Sequence, residues 1–280
     1  MRTTSAPARV PRSYLFVPAS RPERIGKAIA AGADAVIVDL EDAVAPDAKA
    51  EARERLHAPW RTLQAQADSA GVALLLRVNG AESVYFAEDL AFCRHQGVQA
   101  IVLPKADNGS LAALRAVLPD VPCHALLETA AGFADLPDVA RAAGVTRLLF
   151  GSIDLMFDLD VGDDDLPLHY CRSALVLHSR AAGLPPPVDG VCTAIGDAQA
   201  LAADTMRGRR FGFGAKLLIH PSQVDGVHAA LAPSESEVAW ARRVVDQAAA
   251  AQGAAIAVDG KMVDRPVLER AQRIVAAAAR

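Results

Sequence analysis

Short apolar runs alternate eight times with longer alanine-rich stretches along this chain, and the alternation decides which fold classes are open to it. The predicted strands are 13–19, 34–41, 73–79, 100–105, 123–129, 147–154, 186–192 and 215–221. The predicted helices begin near Arg21, Asp47, Ser83, Asn108, Asp135, Asp165, Gly196 and Ser222, several of which are residue types that cap helices. Repeated βα units predict a parallel sheet covered by helices. Eight units in about 220 residues fit a TIM barrel better than a doubly wound sheet, which usually has fewer strands.

The pattern changes after residue 232. There the sequence "PSESEVAWARRVVDQAAAAQG" predicts a capped amphipathic helix, and a short strand or turn and another helix follow it. This tail cannot be a ninth barrel unit, so it either packs beneath the barrel or reaches a neighbouring subunit. We therefore predict a flexible segment at 1–12, a (β/α)8 barrel at 13–232 and a C-terminal helical extension at 233–280.

Composition removes several classes of function. A hydrophobic content of 52% supports a large core, and a net charge of −4 with a pI near 6.0 argues against nucleic acid or an anionic membrane as a partner. No run approaches the roughly 20 apolar residues of a membrane span, and no apolar region follows the basic N-terminus as in a secretory signal. The four cysteines form no C-x-x-C pair and lie mostly in apolar runs, which predicts buried free thiols. We expect a cytoplasmic protein.

Charged and polar residues gather where the predicted strands end, at the carboxyl-terminal rim on which TIM barrels carry their chemistry. In chain order, they are Asp39, Glu41 and Asp42; Arg77 and Asn79; Lys105; Glu128; Ser152 and Asp154; Asp189; and His220.

Glu128 and Asp154 are the strongest candidates for a metal site. Period-2 alternation puts Glu128 on the face of strand five that also carries His124 and Leu126. It puts Asp154 on the face of strand six that also carries Leu148, Phe150 and Ser152. Neighbouring strands lie about 4.8 Å apart, so one ion could contact both carboxylates. Oxygen ligands without His or Cys favour a hard cation, Mg²⁺ first and Mn²⁺ as the alternative. A structural interpretation stays open, in which both acids cap helices or pair with Arg77 and Lys105.

Arg77 and the acidic group of strand two also allow two interpretations each. The guanidinium of Arg77 could hold a substrate carboxylate in a bidentate manner, or it could balance the charge of the acids. Asp39, Glu41 and Asp42 could accept hydrogen bonds from metal-bound water, with a helix cap as the alternative for Asp42.

Three other features are interpreted as structural. We predict a hydrogen-bonded structural role for His220, and a solvated loop for the acidic run at 163–165. The glycines of "RFGFGAK" precede a strand instead of opening a helix, so they do not form a dinucleotide-binding motif.

Eight stretches follow one another in this order: "RSYLFVPASRPERIGKA", "GADAVIVDLEDAVAPDAKAEAR", "LLRVNG", "AIVLPKAD", "LLETAAG", "LFGSIDL", "GAKLLIHPSQV" and "DGKMVDRPVLERA". Together they resemble the citrate lyase beta subunit family, which includes malyl-CoA, citramalyl-CoA and β-methylmalyl-CoA lyases and is related to the 2-oxo-diacid aldolases. The resemblance covers residues 12 to about 277.

The resemblance implies a TIM barrel that assembles into trimers or hexamers and, with Mg²⁺, cleaves or forms a carbon–carbon bond in a 3-hydroxyacyl-CoA. Its small-molecule partners would be a CoA thioester and a 2-oxo acid. Glu128 and Asp154 match the metal ligands of the family, and Arg77 matches the clamp on the substrate oxygens. Arg24 and Lys27 match positions near the CoA phosphates, with surface salt bridges as the alternative. Asp264 matches an aspartate that enters a neighbouring subunit's site as acid or base.

The chain departs from the family in "GSIDLMFDLDVG", where Ser152 and Ile153 stand in place of the common Ala or Thr and Glu. Met156 and Phe157 replace small residues, and we expect their bulk to narrow the pocket. Strand two lacks the histidine of the 2-oxo-diacid aldolases, which makes that branch a weaker match. Three other functions stay open: an aldolase for free 2-oxo acids, a citrate lyase subunit that needs an acyl carrier, and a non-catalytic barrel that senses an acyl-CoA or organic acid.

Overall fold

The computed structural model describes residues 10–250 and 256–278, and its first part is a closed barrel of eight parallel strands. The strands are β1 (Ser13–Pro18), β2 (Ala35–Asp39), β3 (Ala73–Arg77), β4 (Ile101–Leu103), β5 (Cys123–Leu127), β6 (Val145–Phe150), β7 (Val188–Asp189) and β8 (Ala215–Leu218). Each strand pairs with the next, and β8 pairs with β1 to close the ring. The predicted TIM barrel is confirmed.

Helices follow the strands and cover the barrel. They are α1 (Ile25–Ile29), α2 (Lys49–His57), α3 (Trp60–Ala70), α4 (Phe86–Gln96), α5 (Asn108–Val117), α6 (Ala130–Ala134), α7 (Leu136–Val139), α8 (Ser152–Leu159), α9 (His169–Ala181), α10 (Ala198–Phe211) and α11 (Val224–Leu231). Short 3₁₀ turns at Pro22–Arg24, Pro46–Ala48, Leu166–Leu168 and Pro221–Gln223 precede four of them, each with a proline in its first two positions. The sequence did not predict α3, α6 or α8.

The barrel interior is a packed apolar layer. Leu75, Leu126, Leu149, Val188 and Leu217 are at most 2% exposed and belong to one cluster. Burial of each such side chain contributes about 1.5–3 kcal/mol to folding. Because the interior is filled, the open space for a ligand lies at the strand ends.

All eight strands end earlier than predicted, and at β6 the difference affects the site. β6 ends at Phe150, and Leu149 points into the barrel interior. The predicted alternation, which put Asp154 on the opposite face from Leu149, was therefore wrong. After Gly151 the chain turns directly into α8, with Asp154 in its first turn. The prediction that Asp154 lies on a strand was therefore wrong. β8 likewise ends at Leu218, before the predicted 221.

The chain divides between His228 and Ala229 into two compact units. In the second unit, α12 (Glu235–Ala250) and α13 (Arg265–Ala278) pack together, and β9 (Ile256–Val258) pairs antiparallel with β10 (Lys261–Val263). Ala241, Val244, Val258 and Ala271 form a small buried core there. Among the described helices of both units, none is long and apolar enough to cross a membrane.

The N-terminal segment predicted to be flexible lies largely outside the described residues. Its last residues are attached to the barrel: the Pro11 carbonyl accepts a hydrogen bond from Arg147 Nη1 at 2.7 Å, and the Arg12 amide donates to Asp34 Oδ2 at 2.7 Å. The four cysteines are free and buried, as predicted.

Acid should weaken the barrel through His124. Desolvation, with a smaller contribution from the charge of Arg147, lowers the pKa of His124 to about 3. Below about pH 6.5 the unfolded chain binds a proton at His124, whereas the folded protein does not. The free energy of unfolding is therefore unaffected by His124 above that pH and decreases as the pH falls below it. We expect His124 to account for a loss of about 1 kcal/mol in unfolding free energy between pH 7 and pH 5.5. Urea titrations at both pH values check this, because the loss attributable to His124 should be absent in His124→Gln.

Candidate active site

A cavity of about 400 Å³ opens at the carboxyl ends of the strands. Six of its lining residues come from six different βα units of the barrel: Phe16, Arg77, Glu128, Asp154, Val191 and Leu217. The rim thus brings Arg77, Glu128 and Asp154 together around one space, as the sequence predicted.

Glu128 follows β5 directly and is only 1% exposed. The backbone amide of Lys105 donates a hydrogen bond of 2.9 Å to its Oε1. Lys105 adopts φ of +48°, a left-handed conformation that is uncommon outside glycine. Burial, followed by the charges of Glu41 and Asp154, raises the pKa of Glu128 to about 8. A negative charge here is therefore poorly compensated by the protein alone.

Gly151 provides the space that the Glu128 side chain occupies. The pairing of Leu127 with Phe150 puts Gly151 level with Glu128 across the two strands. A Cβ atom at position 151 would collide with Glu128 Oε2 and would lie 2.5 Å from Glu128 Cβ. Glycine is therefore required at 151 if the carboxylate is to keep this position.

Asp154 reaches the same cavity from the first turn of α8. It is half-buried, and its pKa is raised by burial and then by the charge of Asp42. Two carboxyl groups from neighbouring barrel units thus meet where neither ionises easily.

Arg77 is fully engaged by the acids of strand two. Its Nε and Nη2 each donate a 2.7 Å hydrogen bond to Asp39, while Nη1 lies 3.0 Å from Glu41 Oε2 and 3.2 Å from Asp42 Oδ2. The counter-charge interpretation of Arg77 is thus realised, and its role on the substrate stays a prediction. Asp39 also accepts the amides of Glu41 and Ala43, so its oxygens are not free for metal-bound water.

Lys105 supplies the second cation of this rim. Its Nζ lies 2.6 Å from Glu41 Oε1 and 4.0 Å from Glu128 Oε1, so the ammonium is bound mainly to Glu41. The carboxyl groups at the rim are those of Asp39, Glu41, Asp42, Glu128 and Asp154. A third cation, the buried ammonium of Lys49, donates to the carbonyls of Leu40 and Glu41 and interacts with the same acids. Five carboxyl groups thus face three cationic side chains, and the rim has an excess of negative charge.

The donor set suits a hard divalent cation. Glu128 and Asp154 offer carboxylate oxygens, and a cation beside them would offset the burial and the repulsion from neighbouring acids that raise the pKa of each. Within residues 10–250 and 256–278, no group of three or more His, Cys, Asp or Glu side chains is arranged to hold a metal. Two protein ligands would leave coordination positions for water and a substrate.

Several other residues named from the sequence lie outside the cavity lining. Asp189 is buried on β7, with its carboxylate 3.5 Å from Lys216 Nζ and 3.6 Å from Arg172 Nε. His220 caps the turn that follows β8, and its Nδ1 lies 2.7 Å from Ser222 Oγ. Both side chains thus have structural partners.

The acidic run at 163–165 is more than a solvated loop, because Asp164 lies 2.8 Å from Arg207 Nη2 and 3.3 Å from Arg172 Nη2. The expectation that bulk beside Asp154 narrows the pocket was wrong. Phe157 is 81% exposed, and Met156 lines a different, adjacent cavity.

The remaining predicted site residues lie on surfaces. Arg24 ends the 3₁₀ turn before α1, and Lys27 lies within α1; both side chains are exposed. Asp264 belongs to the second unit, where it follows β10 and its Oδ1 accepts the Val267 amide at 3.1 Å. Their predicted roles in binding and catalysis stay predictions.

Sequence reasoning missed Gly151 and two wall residues of the cavity, Val191 and Thr193. A glycine directly after an apolar strand was a usable signal for close approach of another group. The wall residues gave no sequence signal, because the direction of their side chains depends on where the loops after β6 and β7 turn.

Gly151→Ala should abolish most of the activity, and it should also strain the pairing of β5 with β6, because the new methyl group would lie 2.5 Å from Glu128 Cβ, which the backbone holds in place. The new methyl group forces the Glu128 carboxylate aside, and a displacement of about 1 Å at a reacting centre costs about 100-fold in rate. Gly162→Ala is the matched control, because a Cβ there meets no atom within 4 Å. Steady-state kinetics of both variants test this; equal activity would show that the Glu128 position is unimportant.

The chain is similar to known proteins over nearly its whole length. The model of the HpcH/HpaI aldolase/citrate lyase family matches residues 12–221. The citrate lyase subunit beta-like protein of Deinococcus radiodurans is 35% identical, over 97% of this chain and 98% of its own. The (3S)-malyl-CoA thioesterase of Cereibacter sphaeroides is 35% identical, over 95% of this chain and 94% of its own.

Two solved structures are also similar to this chain. CitE from Mycobacterium tuberculosis, in complex with magnesium, acetoacetate and coenzyme A, has a TM-score of 0.85 and 32% identity, covering 98% of this chain and all of that one. A structure of the citrate lyase beta subunit from that organism, with oxaloacetate and magnesium, has a TM-score of 0.69 and 30% identity, covering 81% of this chain and 99% of that one.

Proposed function

Because the chain belongs to the HpcH/HpaI aldolase/citrate lyase family, we propose that it is a Mg²⁺-dependent carbon–carbon lyase. Its substrate would be a 3-hydroxyacyl-CoA such as malyl-CoA, citramalyl-CoA or citryl-CoA, cleaved to or formed from an acyl-CoA and a 2-oxo acid. The observation that carries the proposal is the meeting of Glu128 and Asp154 in one rim cavity, both with raised pKa values. Magnesium and coenzyme A in the mycobacterial relative support it.

Glu128 and Asp154 would hold the ion, and Mn²⁺ could replace Mg²⁺. When bound, the cation supplies Lewis acidity that stabilises charge on the substrate oxygens. Arg77 keeps Asp39 and Glu41 in place, and its contact with the exposed Asp42 is the one that a substrate oxygen would replace. The other acids of strand two stay as supports of the rim.

The proton at carbon is assigned to Asp264. Cleavage leaves an electron pair on the acyl-CoA carbon, and a carboxylic acid within reach would protonate it. We propose that Asp264 acts in the site of a neighbouring copy, within a trimer or hexamer. Its cap contact with the Val267 amide fixes the start of α13, which would also limit the orientation of the carboxyl group.

Arg24 and Lys27 are proposed to attract the CoA phosphates. Alanine at both positions should raise KM for the CoA ester about tenfold with little change in kcat, and added salt should narrow the gap to the wild type. Arg141→Ala, which removes an exposed arginine elsewhere on the barrel, serves as the control. Equal salt dependence of KM in the double variant and in the wild type would contradict this assignment.

The test of the function is a product assay with each of the three CoA esters, in Mg²⁺ and after EDTA treatment. We expect acyl-CoA and a 2-oxo acid in Mg²⁺ only. Turnover without a divalent ion, or of free hydroxy acids without CoA, would overturn the proposal. Activity only with an acyl-carrier protein would identify a citrate lyase subunit, and binding without turnover would indicate a sensor.

Thioester hydrolysis is the second candidate, favoured by the (3S)-malyl-CoA thioesterase at 35% identity. The same assay separates the two reactions, because hydrolysis of malyl-CoA yields free CoA and malate, whereas lyase cleavage yields acetyl-CoA and glyoxylate.

A further inference from the structure

We propose that Glu41, held in place by Lys49 beneath the rim, keeps the ammonium of Lys105 away from Glu128, so that Glu128 is free to bind the divalent cation. The inference rests on the metal role given to Glu128 in the proposed function. It adds two positioning residues, Glu41 and Lys49, and identifies Lys105 as an internal competitor of the metal. Neither positioning residue has to touch the cation or the substrate.

Lys105 lies between two carboxylates. Its Nζ is 2.6 Å from Glu41 Oε1 and 4.0 Å from Glu128 Oε1. Its main-chain amide already donates to the same Glu128 oxygen, so the side chain begins beside Glu128, and its own torsions decide which acid the ammonium meets. The side chain is 47% exposed and therefore has room to turn. A movement of about 1 Å would bring the ammonium to ordinary ion-pair distance from Glu128.

Glu128 is also the next partner of Lys105 in electrostatic terms. Burial would lower the pKa of Lys105, but the hydrogen bond and charge of Glu41, followed by the charges of Glu128 and Asp42, raise it. An ammonium paired with Glu128 would compensate a carboxylate that the protein otherwise leaves poorly compensated, so this pair would form if Glu41 lost its charge. It would also put a positive charge where the divalent cation has to bind.

Glu41 holds the ammonium because the protein fixes Glu41 from several sides. Glu41 is 6% exposed, its Oε2 lies 3.0 Å from Arg77 Nη1, and its main-chain amide donates to Asp39 at 2.9 Å. A buried carboxylate keeps its cationic partners, since separation would leave its charge uncompensated. The contact between Glu41 and Lys105 therefore persists as long as the backbone at Glu41 keeps its position.

Lys49 fixes that backbone from the other side. Its Nζ donates to the carbonyls of Leu40 and Glu41 at 2.8 and 2.7 Å, and the Asn79 side chain donates to the Leu40 carbonyl at 3.2 Å. Lys49 is 7% exposed and is not among the described residues that line the rim cavity. An effect of Lys49 on a metal in that cavity therefore passes through Glu41.

Calorimetric titration of Mg²⁺ tests the inference. Glu41→Gln keeps the size of the side chain and removes its charge, and we expect Mg²⁺ to bind at least about 30-fold more weakly. Adding Lys105→Met to Glu41→Gln should restore the affinity to within about threefold of the wild type, whereas Lys105→Met alone should change it by no more than about threefold. The field of a lost carboxylate, without movement of Lys105, would instead give additive effects.

Lys49→Met gives a test of sign. Lys49 is a cation, so the loss of its charge alone would strengthen the binding of Mg²⁺. We expect binding to be about tenfold weaker instead, and to recover when Lys105→Met is added. Arg141→Met, which removes an exposed cation elsewhere on the barrel, is the matched control and should bind Mg²⁺ as the wild type does.

A crystal structure of metal-free Glu41→Gln gives a second readout, because Lys105 Nζ should lie within about 3 Å of a Glu128 oxygen. Additive effects of the Glu41 and Lys105 changes, unchanged or tighter binding in Lys49→Met, or an ammonium that stays away from Glu128 in that crystal structure would each overturn the inference and leave the lyase function standing. Failure of the wild type to bind Mg²⁺ would instead remove the metal site on which the proposed function depends.

Discussion

Glu128→Gln and Asp154→Asn are each expected to lower kcat/KM by about three or more powers of ten. Both changes keep the size of the side chain and remove its negative charge, so the divalent ion loses one of two protein ligands. Stabilisation of charge by a bound metal is worth several kcal/mol, and each 1.36 kcal/mol corresponds to a factor of ten in rate. Steady-state kinetics with the best CoA ester measure the loss, and titration of Mg²⁺ by calorimetry measures metal affinity directly.

The fold should survive the first of these changes. Burial and the charges of Glu41 and Asp154 raise the pKa of Glu128 to about 8, so the carboxylate destabilises the metal-free protein at neutral pH. Metal-free Glu128→Gln should therefore unfold at the same urea concentration as the wild type or at a higher one. Normal turnover and normal Mg²⁺ affinity in Glu128→Gln would show that Glu128 is not a ligand of the metal.

Arg77→Met is expected to cost about 3–5 kcal/mol of unfolding free energy, the usual result of removing one partner of a buried ion pair. Asp39 is 1% exposed, and without Arg77 its hydrogen bonds would be those from the amides of Glu41 and Ala43, with the ammonium of Lys49 as the remaining nearby cation. Burial alone would lower the pKa of Arg77, but the charges of Asp39, Glu41 and Asp42 raise it. The guanidinium is thus ionised at all working pH values, and its loss is a loss of charge.

A double variant separates this effect from simple loss of packing. Asp39→Asn removes the charge that Arg77→Met would strand, so Arg77→Met with Asp39→Asn should be more stable than Arg77→Met alone. Arg77→Lys keeps the charge but loses the bidentate geometry, and it should lie between the wild type and Arg77→Met. Urea unfolding of five proteins measures these differences: the wild type, Arg77→Met, Asp39→Asn, their double variant and Arg77→Lys. Additive effects of the Arg77 and Asp39 changes would contradict the coupling.

The barrel and the membership of its rim were predictable from the sequence, since they follow from local patterns. Eight apolar runs separated by helical stretches specify eight βα units, and the residue after each run is at the rim whatever the exact pairing. Glu128 was located in this way. Its face on β5 was also correct, because alternation holds as long as the strand continues.

What could not be predicted depends on where strands stop and on contacts between distant residues. Asp154 was assigned to a strand because "LLFGSID" is apolar nearly throughout, whereas the structure ends the strand before Gly151 and places Asp154 on a helix. The choice of Arg77 between substrate and neighbouring acids was open, since Asp39 lies 38 residues away in the chain. Asp164 was taken as solvated because its arginine partners come from α9 and α10.

The position of Glu128 depends on a main-chain amide at 105 and on a missing side chain at 151. Grafting Glu128, Asp154 and Arg77 into another eight-stranded scaffold would therefore fail to reproduce the constellation. The recipient would also need the left-handed turn after its fourth strand. It would need a glycine after its sixth strand as well, so that the glutamate side chain has room. In this architecture, a designer has to transplant loop conformations together with ligands.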